Sequence, residues 1–252
     1  MKRENIFQEL YGKRKKRTFA HILLKSMRDI ASLFNSIAPT YDKLNHLLSL
    51  NIDKYWRSKS LKNCSLKWQK VLDVACGTAD FTLQIAQTGV PEVIGIDLSE
   101  AMVNIGKEKV KNANFQEKVH LMIGDCVALP FPENSFDAVT VAFGVRNFAQ
   151  RAYSLNEMRR VLKPNGDLVI LEFSTPKSFP IKQLYRFYFK RWLPFVGGII
   201  SGDKAAYRYL PESVYAFPQG EAFMQELRDA GLRNMRQCRM TLGIATVYYA
   251  KK

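Results

Sequence analysis

From residue 70 onward, short apolar runs alternate with stretches of helical period. KVLDVA (70–75) reads as a buried strand, a glycine turn follows, and an amphipathic stretch spans 80–88. EVIGID (92–97) is a second strand, and Ser99 stands where an N-cap opens a helix running to about Asn112. VHLMIGD (119–125) and AVTVAF (138–143) are a third and fourth strand. A helix over 151–162 ends at the KPNG turn (163–166), and DLVILEF (167–173) is a fifth strand. Strands alternating with helices of this length predict an α/β fold: a mostly parallel sheet covered on both faces. The rhythm breaks over 174–218, which reads as a mostly helical insertion. It resumes with a helix at 220–230 and two β-rich segments, 234–241 and 244–250, set to pair as a hairpin about Gly243.

The N-terminal part differs. Lys13 to Arg17 are five like charges in a row, and residues 1–20 read as a solvated, flexible arm. From His21, Leu23, Met27, Ile30, Phe34 and Ile37 recur at steps of three and four, one face of an amphipathic helix that Pro39 should stop. An aromatic-rich helical piece follows, so 21–66 forms a helical lid and 21–252 one domain. No window holds the ~20 apolar residues of a spanning helix, and no apolar signal-peptide core follows the basic N-terminus.

The chain has 252 residues and a net charge of +15. Such a surface favours anionic partners: nucleic acid, an acidic membrane or a phosphorylated substrate. Nine basic residues against three acids fall in the first 30 positions, so this end alone contributes +6. The four cysteines are far apart and three histidines make no zinc-ligand spacing, so no metal site is expected.

The chemistry concentrates where the strands end. LDVACGTAD (72–80) places a small-residue turn at the carboxyl end of the first strand, where open α/β sheets bind ligands. Gly77 lets backbone approach a ligand, and the next helix offers free N–H groups. Asp97, twenty residues after Gly77, suits two ribose hydroxyls; Asp125 can reach a nucleobase edge. A dinucleotide fingerprint needs three glycines; this turn has one. Asp73 suits an ammonium or sulfonium group better than a phosphate. The combination points to S-adenosyl-L-methionine.

Four stretches, FNSIAPTYDKLNHLLSLNIDKYWR (34–57), LDVACGTAD (72–80), ALPFPENSFDAVTVAFGVRNF (128–148) and YRYLPESVYAFPQ (207–219), resemble the demethylmenaquinone and ubiquinone-pathway C-methyltransferases. MRRVLKPNGDLVILEFSTP (158–176) adds the usual end of the sheet, and YD-x-x-N and FG-x-RN are the discriminating motifs. The resemblance runs from about residue 28 to the C-terminus. It implies a Rossmann-like class I methyltransferase with a seven-stranded sheet. It also implies S-adenosyl-L-methionine as methyl donor without a metal, cofactor contacts at Thr78, Asp97 and Asp125–Cys126, and a polyprenylated quinol as substrate. Demethylmenaquinol is preferred because the segment SIAPTYDKLNHLLSLNID looks closest to menaquinone-pathway members; a 2-methoxy-6-polyprenyl-1,4-benzoquinol is the alternative. Two departures stand out. GTAD replaces the usual GTGD, so Ala79 requires a negative φ, and Ala142 replaces a serine, so that contact is lost. Cys126 would offer only its backbone N–H.

Methyl transfer is an in-line displacement in which alignment does most of the work. Arg146 is placed to lower the pKa of the quinol hydroxyl beside the attacking carbon, and Asn147 to orient the same oxygen. Tyr41 and Asp42 are candidates to pack the ring and relay a proton; His46 is more simply structural. The insertion explains how a membrane-dwelling substrate is reached. Ile181, Leu184, Tyr185, Tyr188 and Trp192 predict an apolar helix face, and Lys182, Arg186 and Lys190 a basic one, the pattern of an interfacial helix. WLPFVGGII (192–200) is a candidate lining for the tail. The expected location is the cytoplasm, peripherally at the inner face of an anionic membrane, and a homodimer is compatible with this reading. An RNA-binding methyltransferase-like module is the different-class alternative. FGVRNF in place of an N/D-P-P-Y/F motif and the lack of an appended RNA-binding domain speak against it, so no nucleic acid is expected.

Overall fold

The computed structural model describes residues 31–42, 45–46, 49–62, 64, 67–188 and 204–252. The basic arm, the start of the first helix, Lys190, Trp192 and the 192–200 segment lie outside the described residues.

Helix α1 (31–42) and α2 (Ile52–Lys62) precede the sheet. The core then runs β1 (Lys70–Val74), α3 (Asp80–Gln87), β2 (Glu92–Asp97), α4 (Glu100–Asn112), β3 (Val119–Ile123), β4 (Phe136–Ala142), α5 (Arg151–Val161) and β5 (Leu162–Phe173). The insertion contributes α6 (Ile181–Phe187) and α7 (Lys204–Ala216); α8 (Glu221–Asp229), β6 (Arg233–Met240) and β7 (Ala245–Lys251) close the fold. The sheet has seven strands in the order β3-β2-β1-β4-β5-β7-β6. The first five pair in parallel, and β7 pairs antiparallel with both β5 and β6. Strand order reverses between β1 and β4, which sets a ligand crevice at their carboxyl ends.

The central strands read as continuous apolar runs because both faces are covered. One face packs Leu72, Val139 and Leu168 with Leu155 and Phe223; the other packs Val71, Ala138 and Val169 with Ile85 and Trp56. Ser99 caps α4 as expected, its hydroxyl accepting from Met102 N at 3.2 Å.

Three expectations are corrected. Pro39 does not stop α1, which continues to residue 42. A proline costs the helix its own N–H, while the next turn can still bond. The KPNG turn is not outside β5: it bulges within it, the pairing jumping from Phe136↔Leu162 to Ala138↔Asp167. The apolar stripe of the insertion splits on α6. Tyr185 is buried, but Leu184 is 62% exposed and joins exposed Phe187 and Phe179. Lys182 and Arg186 are exposed as expected.

Candidate active site

The turn after β1 is built from left-handed backbone. Ala75, Gly77 and Ala79 have φ of 54°, 55° and 67°. The requirement for a negative φ at Ala79 is therefore overturned. Its methyl is fully buried and it precedes α3 as a left-handed N-cap, so packing holds a conformation that alanine disfavours. A side chain built on Gly77 would meet nothing within 4 Å and would project into open space.

That space is the first cavity, at the carboxyl ends of β1, β2 and β4. Gly77, Asp97, Asp125, Cys126, Phe143 and Asn147 are among its lining residues. Asp97 accepts from Gly77 N and from Ser99 N, one bond to each oxygen, both at 2.8 Å. It thereby ties the turn to the start of α4. Burial raises its pKa against these bonds. Two backbone bonds leave a carboxylate with free lone pairs, enough for two ribose hydroxyls. Asp125 accepts from Val127 N at 3.1 Å, which turns the chain so that Cys126 and Val127 face the cavity. The Cys126 thiol lies 3.2 Å from the Ser154 hydroxyl and burial pushes its pKa up to about 12, so it is inert. The open face above Gly77 and the acceptor left on Asp97 fit a nucleoside carried on the turn.

Asp73 does not open into this cavity. Its two oxygens accept from Thr82 and Thr140, each at 2.7 Å, and burial raises its pKa to about 6. Thr78 is buried, and its hydroxyl donates to Asp42 at 2.6 Å.

A second cavity, of about 250 Å³, lies beside the first. Ile37, Trp56, Phe173 and Tyr188 supply an apolar wall, and Arg146, Arg57 and Asp53 the charge. Phe34, Tyr41 and Phe143 line both cavities and form the wall between them. Burial raises the Tyr41 pKa, while the charges of Arg146 and Arg57, which line the same cavity, pull it down.

Arg146 follows β4 in a short 3-10 turn, Val145–Asn147. Its Nη1 donates to Glu172 Oε1 at 2.9 Å and to the Phe143 carbonyl, and its Nε to Ser213 at 3.3 Å. Its backbone N–H reaches the other Glu172 oxygen at 3.2 Å. The guanidinium carbon lies 5.5 Å from the centre of the Phe173 ring. The Arg146 side chain is 5% exposed and that of Glu172 0%. Three of its donor directions are thus fixed, and Nη2 has no partner among the described residues. Asn147 does not share the second cavity: it lines the first, its Oδ1 accepting from Tyr209 at 2.9 Å.

Asp42 and His46 are committed to an ionic clasp. Lys109 Nζ donates to Asp42 at 3.0 Å and also to Asp80, and His46 stands between Asp53 (3.0 Å) and Asp80 (3.3 Å). Neither lines the second cavity; Asp42 joins the lid helix α1 to Thr78 of the turn and to Lys109 of α4. His46, Asp53 and Asp80 could group around an ion, but Arg57 and Lys109 already serve those carboxylates. Asn35 adds a second latch, accepting from Ser99 Oγ at 2.6 Å and Ala101 N at 3.2 Å.

Glu172, Arg57, Lys109 and Tyr209 were missed in the sequence. Glu172 had a signal, a lone acid inside the apolar run LVILEF. Arg57 had a weaker one, four residues after Asp53. Lys109 had none.

The seven-stranded sheet and the cavity at its switch point define the class I methyltransferase fold. It is shared with an S-adenosylmethionine-dependent methyltransferase from Aquifex aeolicus (TM-score 0.54, 23% identity, covering 77% of this chain and 88% of that one). The [4+2]-cyclase SpnF has it too, at TM-score 0.67, 15% identity and 88% and 94% coverage. The family is more specific. The model of the ubiE/COQ5 methyltransferase family matches residues 22–252, and the chain belongs to that family. A demethylmenaquinone methyltransferase of Bacteroides fragilis is 45% identical over 230 residues, 90% of this chain and 94% of that protein. A ubiquinone/menaquinone biosynthesis C-methyltransferase UbiE of Geobacter sulfurreducens is 44% identical over 257 residues, 100% and 99% of the two chains.

Proposed function

We propose that the chain transfers a methyl group from S-adenosyl-L-methionine to a ring carbon of a polyprenylated quinol, with demethylmenaquinol as substrate. The observation that carries the reading is the pair of cavities with a common wall. One offers a nucleoside site on the glycine turn; the other is mostly apolar and aromatic, with Arg146, Arg57 and Asp53 as its charged lining. The choice of naphthoquinol over benzoquinol is supported by the name of the Bacteroides fragilis relative.

The bound cofactor supplies an electrophilic methyl on a sulfonium. The protein's part is alignment and charge. Phe143 and Tyr41 form the wall at which the two reactants meet. The free Nη2 of Arg146 is the donor for the quinol oxygen beside the attacking carbon, and its charge favours the phenolate, which pushes electron density onto that carbon. Tyr41, its proton held by burial, packs against the ring and donates rather than ionises.

The substrate's tail requires a bilayer. No helix among the described residues is long and apolar enough to cross a membrane. Exposed Phe179, Leu184 and Phe187 beside exposed Lys182 and Arg186 support peripheral docking through α6 onto an anionic surface. The test supplies methyl-labelled cofactor to the purified chain with demethylmenaquinol and, separately, a demethylated benzoquinol, in anionic vesicles. Label in the naphthoquinol confirms the reading; label in neither refutes it. Changing Lys182, Arg186 and Lys190 to Gln weakens vesicle binding and spares turnover of a short-tailed quinol. Equal co-sedimentation of variant and wild type refutes the docking role.

A further inference from the structure

A third, small cavity lies between the other two. It shares Ala75, Gly77 and Ala142 with the first, Arg57 with the second and Tyr41 with both. Asp73, Thr78 and Asp80 complete its polar wall. The side chain of Arg57 is nine-tenths buried. Its Nη1 donates to Asp53, and its Nε is buried with no hydrogen-bond partner among the described residues. Asp53 is a divided partner, since Ser49 (2.6 Å) and His46 (3.0 Å) also bind it. No hydrogen bond joins Arg57 to Asp73, whose oxygens each accept from a threonine hydroxyl. A buried guanidinium with an unmade bond is costly unless a ligand completes it. The ring of Phe143, its centre 5.2 Å from the guanidinium carbon, packs against the group.

The geometry of the cofactor decides what completes it. Asp97 and Asp125 place the nucleoside on the β2–β3 side of the first cavity. The sulfonium must face the second cavity at the Phe143–Tyr41 wall. The amino-acid tail then has to run over Gly77 into the third cavity. That tail is a zwitterion, and this cavity carries both signs.

We infer that Arg57 binds the carboxylate of the cofactor's amino-acid tail. The inference rests on the reading of the first cavity as an S-adenosylmethionine site. Arg57 thereby links the lid helix α2 to the cofactor, and Asp53 and Phe143 hold it in place.

The test compares S-adenosylmethionine with its decarboxylated analogue by calorimetry. Wild type should bind the full cofactor more tightly than the analogue. Arg57→Gln should lose about 10- to 100-fold in affinity for the cofactor, the range for a charge-assisted bond, and little for the analogue. Arg57→Lys should recover part of the loss. Equal losses for both ligands in a folded variant would overturn the inference, as would unchanged affinity for both. In wild type labelled with [15N]arginine, the Arg57 Nε–H resonance should move on adding the cofactor and stay in place with the analogue; the same movement with both would also overturn it. Failure of wild type to bind either ligand would instead refute the cofactor reading.

Discussion

Glu172→Gln should uncouple the placement of Arg146 from the rest of the fold. Glu172 is fully buried, and one oxygen receives Arg146 Nη1 at 2.9 Å and Phe173 N at 2.8 Å while the other receives Arg146 N at 3.2 Å. Glutamine fills the same space but presents one carbonyl acceptor and an NH2 that opposes a donor. Arg146, 5% exposed, is left as a buried charge without its counter-charge. Removing one partner of such a pair costs about 3–5 kcal/mol, and the lower end applies because one acceptor survives. A domain of this kind has about 5–15 kcal/mol to lose. A donor displaced from a developing phenolate costs about two to three decades in kcat. The assays are urea unfolding and single-turnover methylation. The double variant Glu172→Gln/Arg146→Met separates the two roles: part of the stability should return, because no buried charge is left without its counter-charge, while turnover stays lost. A Glu172→Gln protein with wild-type midpoint and wild-type turnover would refute the argument, because Arg146 would then be held elsewhere.

Three more outcomes are expected from the same geometry. Asp97→Asn removes charge from an acceptor that binds the turn and, on the proposed function, a nucleoside; cofactor affinity should fall about 10- to 100-fold by calorimetry, and unchanged affinity would remove Asp97 from the site. Arg146→Lys keeps charge but loses the planar fork that reaches Glu172, Phe143 and Ser213 at once; kcat should fall with near-normal cofactor affinity, and normal turnover would make Arg146 structural. Asp73 has its pKa raised from 3.8 to about 6 by burial. The native state therefore holds that proton more tightly than the unfolded state, and stability is lost as pH rises from about 4 through about 6. The gap corresponds to about 3 kcal/mol; Asp73→Asn should flatten that part of the urea-unfolding profile, and an unchanged slope would contradict the assignment.

What the sequence disclosed was periodic and local. The strand runs survive burial on both faces with little change, and the capping of α4 by Ser99 needs only one residue and its neighbour. Asp97 and Asp125 were legible because strand ends in this topology meet at one edge. The failures share a cause, which is distance along the chain. Lys109 joins Asp42 and Asp80 from 67 and 29 residues away, and no spacing announces such a meeting. Asp42 therefore reads as a reactive carboxylate in sequence and as a clasp in the fold. The φ of Ala79 fails differently: a local rule asks for glycine in a left-handed turn, and tertiary packing overrides it. Leu184 and Tyr185 share one apolar face by their spacing, but α6 buries Tyr185 and leaves Leu184 exposed.

Phe143 shows why the two cavities meet where they do. A bulky side chain with φ of 61° is a backbone outlier, and such strain persists only where the surroundings over-determine it. Here they do so on every side. The backbone N–H donates to Leu171 O at 2.7 Å, extending the β4–β5 pairing one residue past the strand. The carbonyl turns back to accept from Arg146. The ring stacks 4.5 Å from Phe173, packs beside Trp56 at 6.1 Å and carries Arg57 on its face. A residue continuing β4 in extended geometry would direct its carbonyl into the next strand pairing, and Arg146 would lose that anchor. The left-handed step thus ends the sheet and orients the arginine while setting an aromatic wall between the two cavities. The SpnF cyclase shares the sheet, so the sheet alone does not choose the chemistry; on the proposed function, the choice in this chain falls to the turn that carries Phe143 and Arg146 out of β4.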